Sequence, residues 1–282
     1  MQARRLRRVR MDPDMLSHRF WLSIVVLALA APLASAQSIF LGENNLRDAC
    51  FQNELTMLLK GTVTVQQNNQ PATFPRSADA VHRYVERVLD VKDGQAERAA
   101  RLYNSADAVL VDGTDKFNLA LKANHTLLVA HRVKDQLIVY HPIDALTREE
   151  MEITSHFDTL AVPGLLPRRE TKVGDTWQVP RDVMLALVDF DAIEKADVTG
   201  KLEKIDGDLA YISFRGLVQG IDMAAAVTVM VKDSTAAFSI KQNRIVRLDW
   251  RVTDQRQQGP VSPALSADVA DRKSTRLNSS HG

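Results

Sequence analysis

Three Asp-Gly pairs punctuate the chain, and each borders a segment in which apolar and polar residues alternate. They are Asp93-Gly94, Asp112-Gly113 and Asp206-Gly207. An Asp-Gly pair favours the left-handed backbone of a two-residue turn, and alternation with a period of two indicates a strand with one buried face. We therefore expect an α+β fold, mainly antiparallel β, in which curved sheets or meanders pack against one or two helices.

The last third of the chain shows this pattern most clearly. Four predicted strands form an antiparallel meander with one apolar face, which needs a covering layer. The strands are 198–205, 209–218, 227–231 (resuming at 238–240) and 246–252.

The first half also predicts β structure. Alternation from Leu55 to Gln66 indicates one long, half-buried strand. Residues 79–91 fit helical spacing as well as a strand, but the Asp93-Gly94 turn favours a hairpin with residues 98–111. Short strands should follow at 117–121, 126–133 and 136–141, and residues 37–49 should form a weakly ordered lead-in.

The segment 163–180 combines three prolines and two glycines with Leu165, Leu166 and Trp177. It predicts a structural hinge whose tight turn carries a large aromatic side chain into the core. Helices should lie on either side. Thr147 and Glu150 form a capping box for a helix running from about Arg148 towards Leu160, and Pro180 can open a second helix.

The N-terminus predicts a secretory signal peptide over residues 1–36. A basic region precedes a 14-residue apolar run, Trp21–Ala34, and a small-residue cleavage site ends at Ala36. The run is shorter than a bilayer-spanning helix, so we expect no stable membrane span after cleavage, and a secreted or periplasmic protein. The single cysteine, Cys50, forbids an internal disulfide.

The C-terminus is unusual in a different way. Asp271–His281 matches, over all eleven residues, the translation of a common sequencing adapter. We therefore predict a non-native, adapter-derived tail over 271–282, preceded by a linker over 257–270. The predicted plan is completed by a β-rich half over 37–162, followed by the hinge, a helix and the meander over 163–256.

Charge argues against one class of partner. The whole chain carries a formal charge of +1. Residues 1–36 contribute +4 and residues 271–282 contribute +2, which leaves −5 for the part between them. A chain with this balance and no basic stripe lacks the electrostatic footprint of a nucleic-acid-binding protein.

Residues with catalytic potential are present but form no recognised motif. The carboxylate pair Asp189 and Asp191 is typical of solvated charges at a helix end, and Glu149-Glu150 is explained by capping. We predict no catalytic residue, no metal site and no cofactor, and leave any ligand-binding residues unassigned. The scattered histidines are His82, His125, His131, His141 and His156, and the aromatics expected to fill the core or line a cavity are Trp177, Tyr211, Phe214 and Trp250.

Three segments carry a family resemblance: His156–Pro167, Lys172–Trp177 and Asp254–Pro260. With them, residues 50–265 resemble a group of uncharacterised exported proteins of planctomycete-type bacteria, which implies an extracytoplasmic location and a β-rich build but no mechanism. The leading hypothesis is a non-enzymatic module that binds an apolar ligand or an envelope partner. The alternatives are an accessory domain of an envelope hydrolase and a purely structural spacer.

Overall fold

One antiparallel sheet of twelve strands dominates the computed structural model, which describes residues 38–133 and 136–277. The predicted signal peptide lies outside the described residues. The two helices are α1 (Arg148–Ser155) and α2 (Arg181–Val188), and a 3-10 turn covers Val162–Leu165. The strands are β1 Ser38–Leu41, β2 Cys50–Gln67, β3 Gln70–Lys92, β4 Gln95–Asp112, β5 Asp115–Ala120, β6 Leu127–Val133, β7 Gln136–Tyr140, β8 Arg169–Lys172, β9 Thr176–Gln178, β10 Ala192–Asp206, β11 Leu209–Asp222, β12 Ala225–Ser239, β13 Arg244–Arg256 and β14 Ala264–Leu277.

The sheet runs in the order β7-β6-β4-β3-β2-β14-β13-β12-β11-β10-β9, and β5 also pairs with β4. Mainly antiparallel β structure with two helices is therefore confirmed. Among the described helices, neither is long and apolar enough to cross a membrane.

Tight turns of the predicted kind connect the long strands. Asp93 and Gly94 have φ values of 50° and 75°, and they join β3 to β4. Residues 79–91 therefore lie in a strand, and the hairpin interpretation is confirmed over the helical one. The predicted meander is also present as β10 to β13, in sequence order. It is part of the large sheet, because its edge strand β13 pairs with β14.

Alternation defines an inner face, which carries the buried side chains, and an outer face. On β2, Leu55 and Met57 are buried while Glu54 and Leu58 are exposed. Burying an aliphatic or aromatic side chain contributes roughly 1.5–3 kcal/mol, so the apolar inner face needs cover. Both helices supply it, since Ile153 of α1 and Met184 of α2 belong to the same apolar core.

The capping box begins α1 as predicted. The backbone N–H of Glu150 donates to Thr147 Oγ1 at 3.3 Å, and the backbone N–H of Thr147 donates to Glu150 Oε2 at 2.9 Å. The helix ends at Ser155, however, and does not run on towards Leu160. Asp158 explains the difference, because its Oδ1 accepts the N–H of Leu160 at 2.9 Å and starts a new turn.

The hinge carries Trp177 into the core, as predicted. Its indole Nε1 donates to the Leu165 carbonyl at 2.8 Å, and its side chain is buried. Gly200 on the neighbouring strand β10 makes room for the ring, because a Cβ at this position would lie 2.4 Å from Trp177 Cε2. Pro180 precedes α2, and Asp189, with a left-handed φ of 53°, caps its C-terminal end.

The lead-in prediction for residues 37–49 is wrong. Ser38–Leu41 forms β1 and pairs with β8 in a small two-stranded sheet. Beyond it, Glu43 Oε1 accepts the backbone N–H of Ile245 at 2.8 Å, and Asn45 accepts a hydrogen bond from Arg244. These partners lie about 200 positions away along the chain, so local sequence pattern could not reveal them.

The linker prediction for residues 257–270 is wrong for its second half. Residues 264–270 form the first half of β14, and 271–277, in the segment that matches the adapter, continue the strand. β14 pairs with β13 on one side and with β2 on the other, so it joins the two halves of the sheet. The strand was missed because Asp271, Lys273 and Thr275 occupy its inner positions and remove the apolar alternation.

Candidate ligand-binding cavity

A cavity of about 380 Å³ lies between the inner face of the sheet and the C-terminal ends of α1 and α2. A smaller adjoining cavity of about 90 Å³ shares Leu59, Glu152 and His156 with it. Apolar side chains from four strands and both helix ends line the larger space: Leu59, Phe157, Leu187, Val188, Val229, Trp250, Val252, Leu265 and Val269.

The cavity reaches solvent beside the turn between β11 and β12. Met223 of this turn lines the cavity and is 54% exposed. The amide N–H of Met223 donates to Asp191 Oδ2 at 2.8 Å, which ties the turn to the segment after α2.

Acidic groups outnumber basic ones where the cavity opens to solvent, which we call its mouth. Asp189, Asp222, Asp254 and Arg256 line it together. Arg256 forms ion pairs with Asp222 and, at 3.9 Å, with Asp254. Burial raises the pKa of the Asp222 and Asp254 carboxyls, although Arg256 opposes the shift. One guanidinium thus faces three carboxyl groups.

His156 and Asp271 line the same cavity, and the His156 side chain is 42% exposed. His156 Nε2 lies 3.8 Å from Asp271 Oδ1, and Asp271 is 5% exposed. Burial raises the pKa of Asp271 to about 7, and burial also lowers the pKa of His156. The Oδ1 atom has no hydrogen-bond partner within the described ranges. The pKa shifts of both groups thus disfavour their charged forms.

A separate polar cluster lies on the inner face of β3 and β4. Arg101 is 2% exposed and donates from Nε to Glu86 Oε2 at 2.9 Å and from an Nη to Thr159 Oγ1 at 2.7 Å. Its guanidinium also lies 5.2 Å from the Tyr84 ring centre. The sequence did not reveal this cluster. Charged residues such as Arg101 and Glu86 within a predicted strand are normally taken to face solvent.

The structure brings together two histidines that the sequence presented as scattered. His125 and His141 have ring centres 4.8 Å apart, and Asp144 stands beside both. His125 Nδ1 contacts the Glu150 carboxylate at 2.9 and 3.0 Å. Burial acts to raise the pKa of Glu150, but hydrogen bonds from the Thr147 and Lys122 N–H groups and from His125 outweigh it and lower the pKa to about 2.

The remaining sequence candidates lie in the core or at the surface, except that Trp250 also lines the cavity. His82 is 3% exposed, lies against Tyr103 with ring centres 5.9 Å apart, and has a pKa lowered to about 4 by burial, by Arg101 and by His156. His131 lies on β6 away from the cavity. Trp177, Phe214 and Trp250 pack in series, edge-to-face at 6.4 Å between the first two ring centres and tilted at 6.1 Å between the last two.

Tyr211 does not belong to this series. Its side chain is half-buried on the outer face, where the Lys204 ammonium lies 4.5 Å from the ring centre. Tyr211 therefore does not fill the core, but it lines a separate cavity of about 360 Å³ on the outer face. Alternation within β11 explains the placement, because its neighbour Ile212 takes the inner position.

No family model and no curated protein matches the chain. A solved structure of lipovitellin, which describes lipid–protein interactions, overlays with a TM-score of 0.38 at 8% identity; the match covers 83% of this chain and 25% of that chain. A DUF1329 family protein from Desulfovibrio piger overlays with a TM-score of 0.14 at 8% identity, covering 83% and 88%. The chain thus spans about a quarter of the lipovitellin chain, and neither likeness assigns it a family or a function.

Proposed function

We propose that this chain is an exported, non-enzymatic module that binds one apolar ligand between its sheet and its helices. The observation that carries the proposal is the cavity of about 380 Å³ under α1 and α2. Ligand sites typically measure about 300–1,000 Å³ and combine apolar walls with a few polar groups.

The polarity of the mouth defines the class of ligand further. An apolar body would lie over Val229, Trp250 and Val269, and its head would meet the carboxyls of Asp222 and Asp254. A free carboxylate or phosphate head would be repelled there, because only Arg256 offsets the acidic groups. The proposed ligand is an amphiphile with a neutral or cationic head group.

Irregularities in the strand pairing favour a sheet that curves around such a ligand. β-bulges interrupt the pairing of β10 with β11, of β11 with β12 and of β12 with β13. Bulges bend and twist a sheet, so they favour the curved form that a ligand cradle needs. The predicted signal peptide would deliver this cradle to the cell envelope, where an envelope protein is the proposed source or acceptor of the ligand.

A blocking variant tests the proposal. Leu59→Trp fills the space shared by the two cavities, while Met230→Trp adds the same ring to the outer face, where Met230 is 43% exposed. Titration with an uncharged fluorescent fatty-alcohol probe should show one site, weakened more than about tenfold by Leu59→Trp alone. Equal binding by both variants, at equal melting temperatures, would refute the cavity as the site.

The hydrolase alternative depends on one observation, the pairing of His156 with Asp271 inside the cavity. The nearest hydroxyl along the chain, that of Ser155, donates to the Met151 carbonyl at 2.6 Å and so is engaged within the helix. A neutral histidine beside a buried acid can serve in catalysis only if a nucleophile lies within reach. Hydrolysis of a neutral ester that His156→Ala abolishes would reverse the preference for binding.

A further inference from the structure

His125 is held in one tautomer by its buried partner. Both oxygens of the Glu150 carboxylate lie within 3.0 Å of His125 Nδ1, and Glu150 is 1% exposed. An ionised carboxylate only accepts hydrogen bonds, so Nδ1 carries the proton. In the neutral imidazole the lone pair is then on Nε2, which points away from Glu150 towards Asp144 at 3.9 Å.

His141 directs a second nitrogen lone pair towards Asp144. The backbone N–H of Asp144 donates to His141 Nδ1 at 2.9 Å, so this nitrogen is not protonated. It lies 3.8 Å from Asp144 Oδ2, the same oxygen that faces His125. One potential ligand atom from each of the three residues lies within 4.8 Å of the others.

Two imidazoles and one carboxylate are a donor set for a borderline divalent cation. Zn²⁺ binds His nitrogen at about 2.0–2.1 Å and carboxylate oxygen at about 2.0–2.2 Å, commonly with water in a fourth position. A carboxylate that holds the far nitrogen of a ligating histidine is a recurrent outer partner in such sites. Binding through His141 Nδ1 would replace its hydrogen bond from Asp144, and the exposed turn at 142–144 can adjust to allow this.

We propose that His125, His141 and Asp144 bind one Zn²⁺-class divalent cation, with Glu150 as the positioning residue behind His125. The cation would join the loop after β5, which carries His125, to the turn after β7, which carries His141 and Asp144. Since Glu150 also caps α1, the site would fasten the beginning of the helix that covers the cavity. This proposal is independent of the apolar ligand.

Titration of the purified protein with Zn²⁺ alone tests it. Calorimetry should give one site, and Co²⁺ should give the visible absorption of a four-coordinate nitrogen–oxygen site. His141→Ala and Asp144→Asn should each weaken Zn²⁺ binding more than about tenfold with little change in melting temperature without metal. Glu150→Gln should weaken it by roughly 10–100-fold.

Thr147→Ala is the matched control for Glu150→Gln. It breaks the same capping box but leaves the three ligands in place, so Zn²⁺ affinity should stay within about threefold of the parent. His131→Ala removes a histidine elsewhere and should also leave the affinity unchanged. No stoichiometric Zn²⁺ binding by the parent protein, or undiminished binding by His141→Ala, would overturn the assignment.

Discussion

Asp271→Asn should make the protein more stable at neutral pH and leave it unchanged in acid. Asp271 faces inward from β14 between Trp250 of β13 and Met57 of β2, and it is 5% exposed. Burial raises its pKa from 3.8 to about 7 in the folded state. His156, 3.8 Å away, has a pKa lowered by burial and so provides no counter-ion near neutral pH.

The sign and size of the effect follow from proton linkage. Because the folded pKa lies above the unfolded one, Asp271 imposes no penalty below about pH 4. Stability is lost as the pH rises from about 4 towards 7, and the loss is complete above that. A difference of about three pKa units corresponds to about 4 kcal/mol. Asparagine keeps the shape of the side chain but cannot ionise, so it should remove this loss.

Urea unfolding followed by tryptophan fluorescence between pH 4 and pH 9 measures the difference. The two proteins should be equally stable near pH 4, and the variant should exceed the parent by about 4 kcal/mol at pH 8, or by about 8–16 °C in melting temperature. Asp268→Asn is the control, because Asp268 is exposed on the outer face of the same strand. Parallel pH profiles for Asp271→Asn and the parent would refute the claim that the carboxylate is desolvated.

Three further changes test the helix cap, the buried ion pair and the packing of Trp177, each by chemical unfolding. Thr147→Ala should cost about 1 kcal/mol, because the N–H of Glu150 loses its acceptor, and an unchanged stability would contradict the capping role. Glu86→Gln should cost about 3–5 kcal/mol, because Arg101 would keep its buried charge without its 2.9 Å partner; a loss under 1 kcal/mol would mean that water reaches the guanidinium. Gly200→Ala should cost about 1–3 kcal/mol and shift the fluorescence of Trp177, whose ring the new Cβ would meet at 2.4 Å.

Local rules predicted the parts of this fold that neighbouring residues determine. The hairpin through Asp93-Gly94, the meander from β10 to β13 and the capping box at Thr147 all depend on contacts between residues close in sequence. The order of the whole sheet depends on pairings such as that of β2 with β14, whose partners are about 200 positions apart. No local pattern encodes such a pairing, so the sequence could predict strands but not one continuous sheet.

The cavity and the histidine cluster were missed for the same reason. Leu59 and Val269 face each other across the β2–β14 pair, and His125 meets His141 only because β6 and β7 fold back as a hairpin. Spacing of 16 residues between two histidines matches no ligand motif, so the sequence presented them as unrelated. Glu150 was correctly assigned to capping. Its carboxylate also contacts His125, and this contact could not be predicted from the helix alone.

β14 shows how a strand can form without a strand-like sequence. Each of its residues pairs with β13 or β2 through backbone hydrogen bonds, which any residue other than proline can make. Its neighbours present Trp250 and Leu248 on one side and Met57 and Leu55 on the other, opposite Asp271 and Lys273. Both side chains are nevertheless buried, because the pairing with β13 and β2 directs alternate residues of β14 inward. Backbone pairing with two flanking strands can therefore hold a segment in a central strand even where its inner side chains are charged.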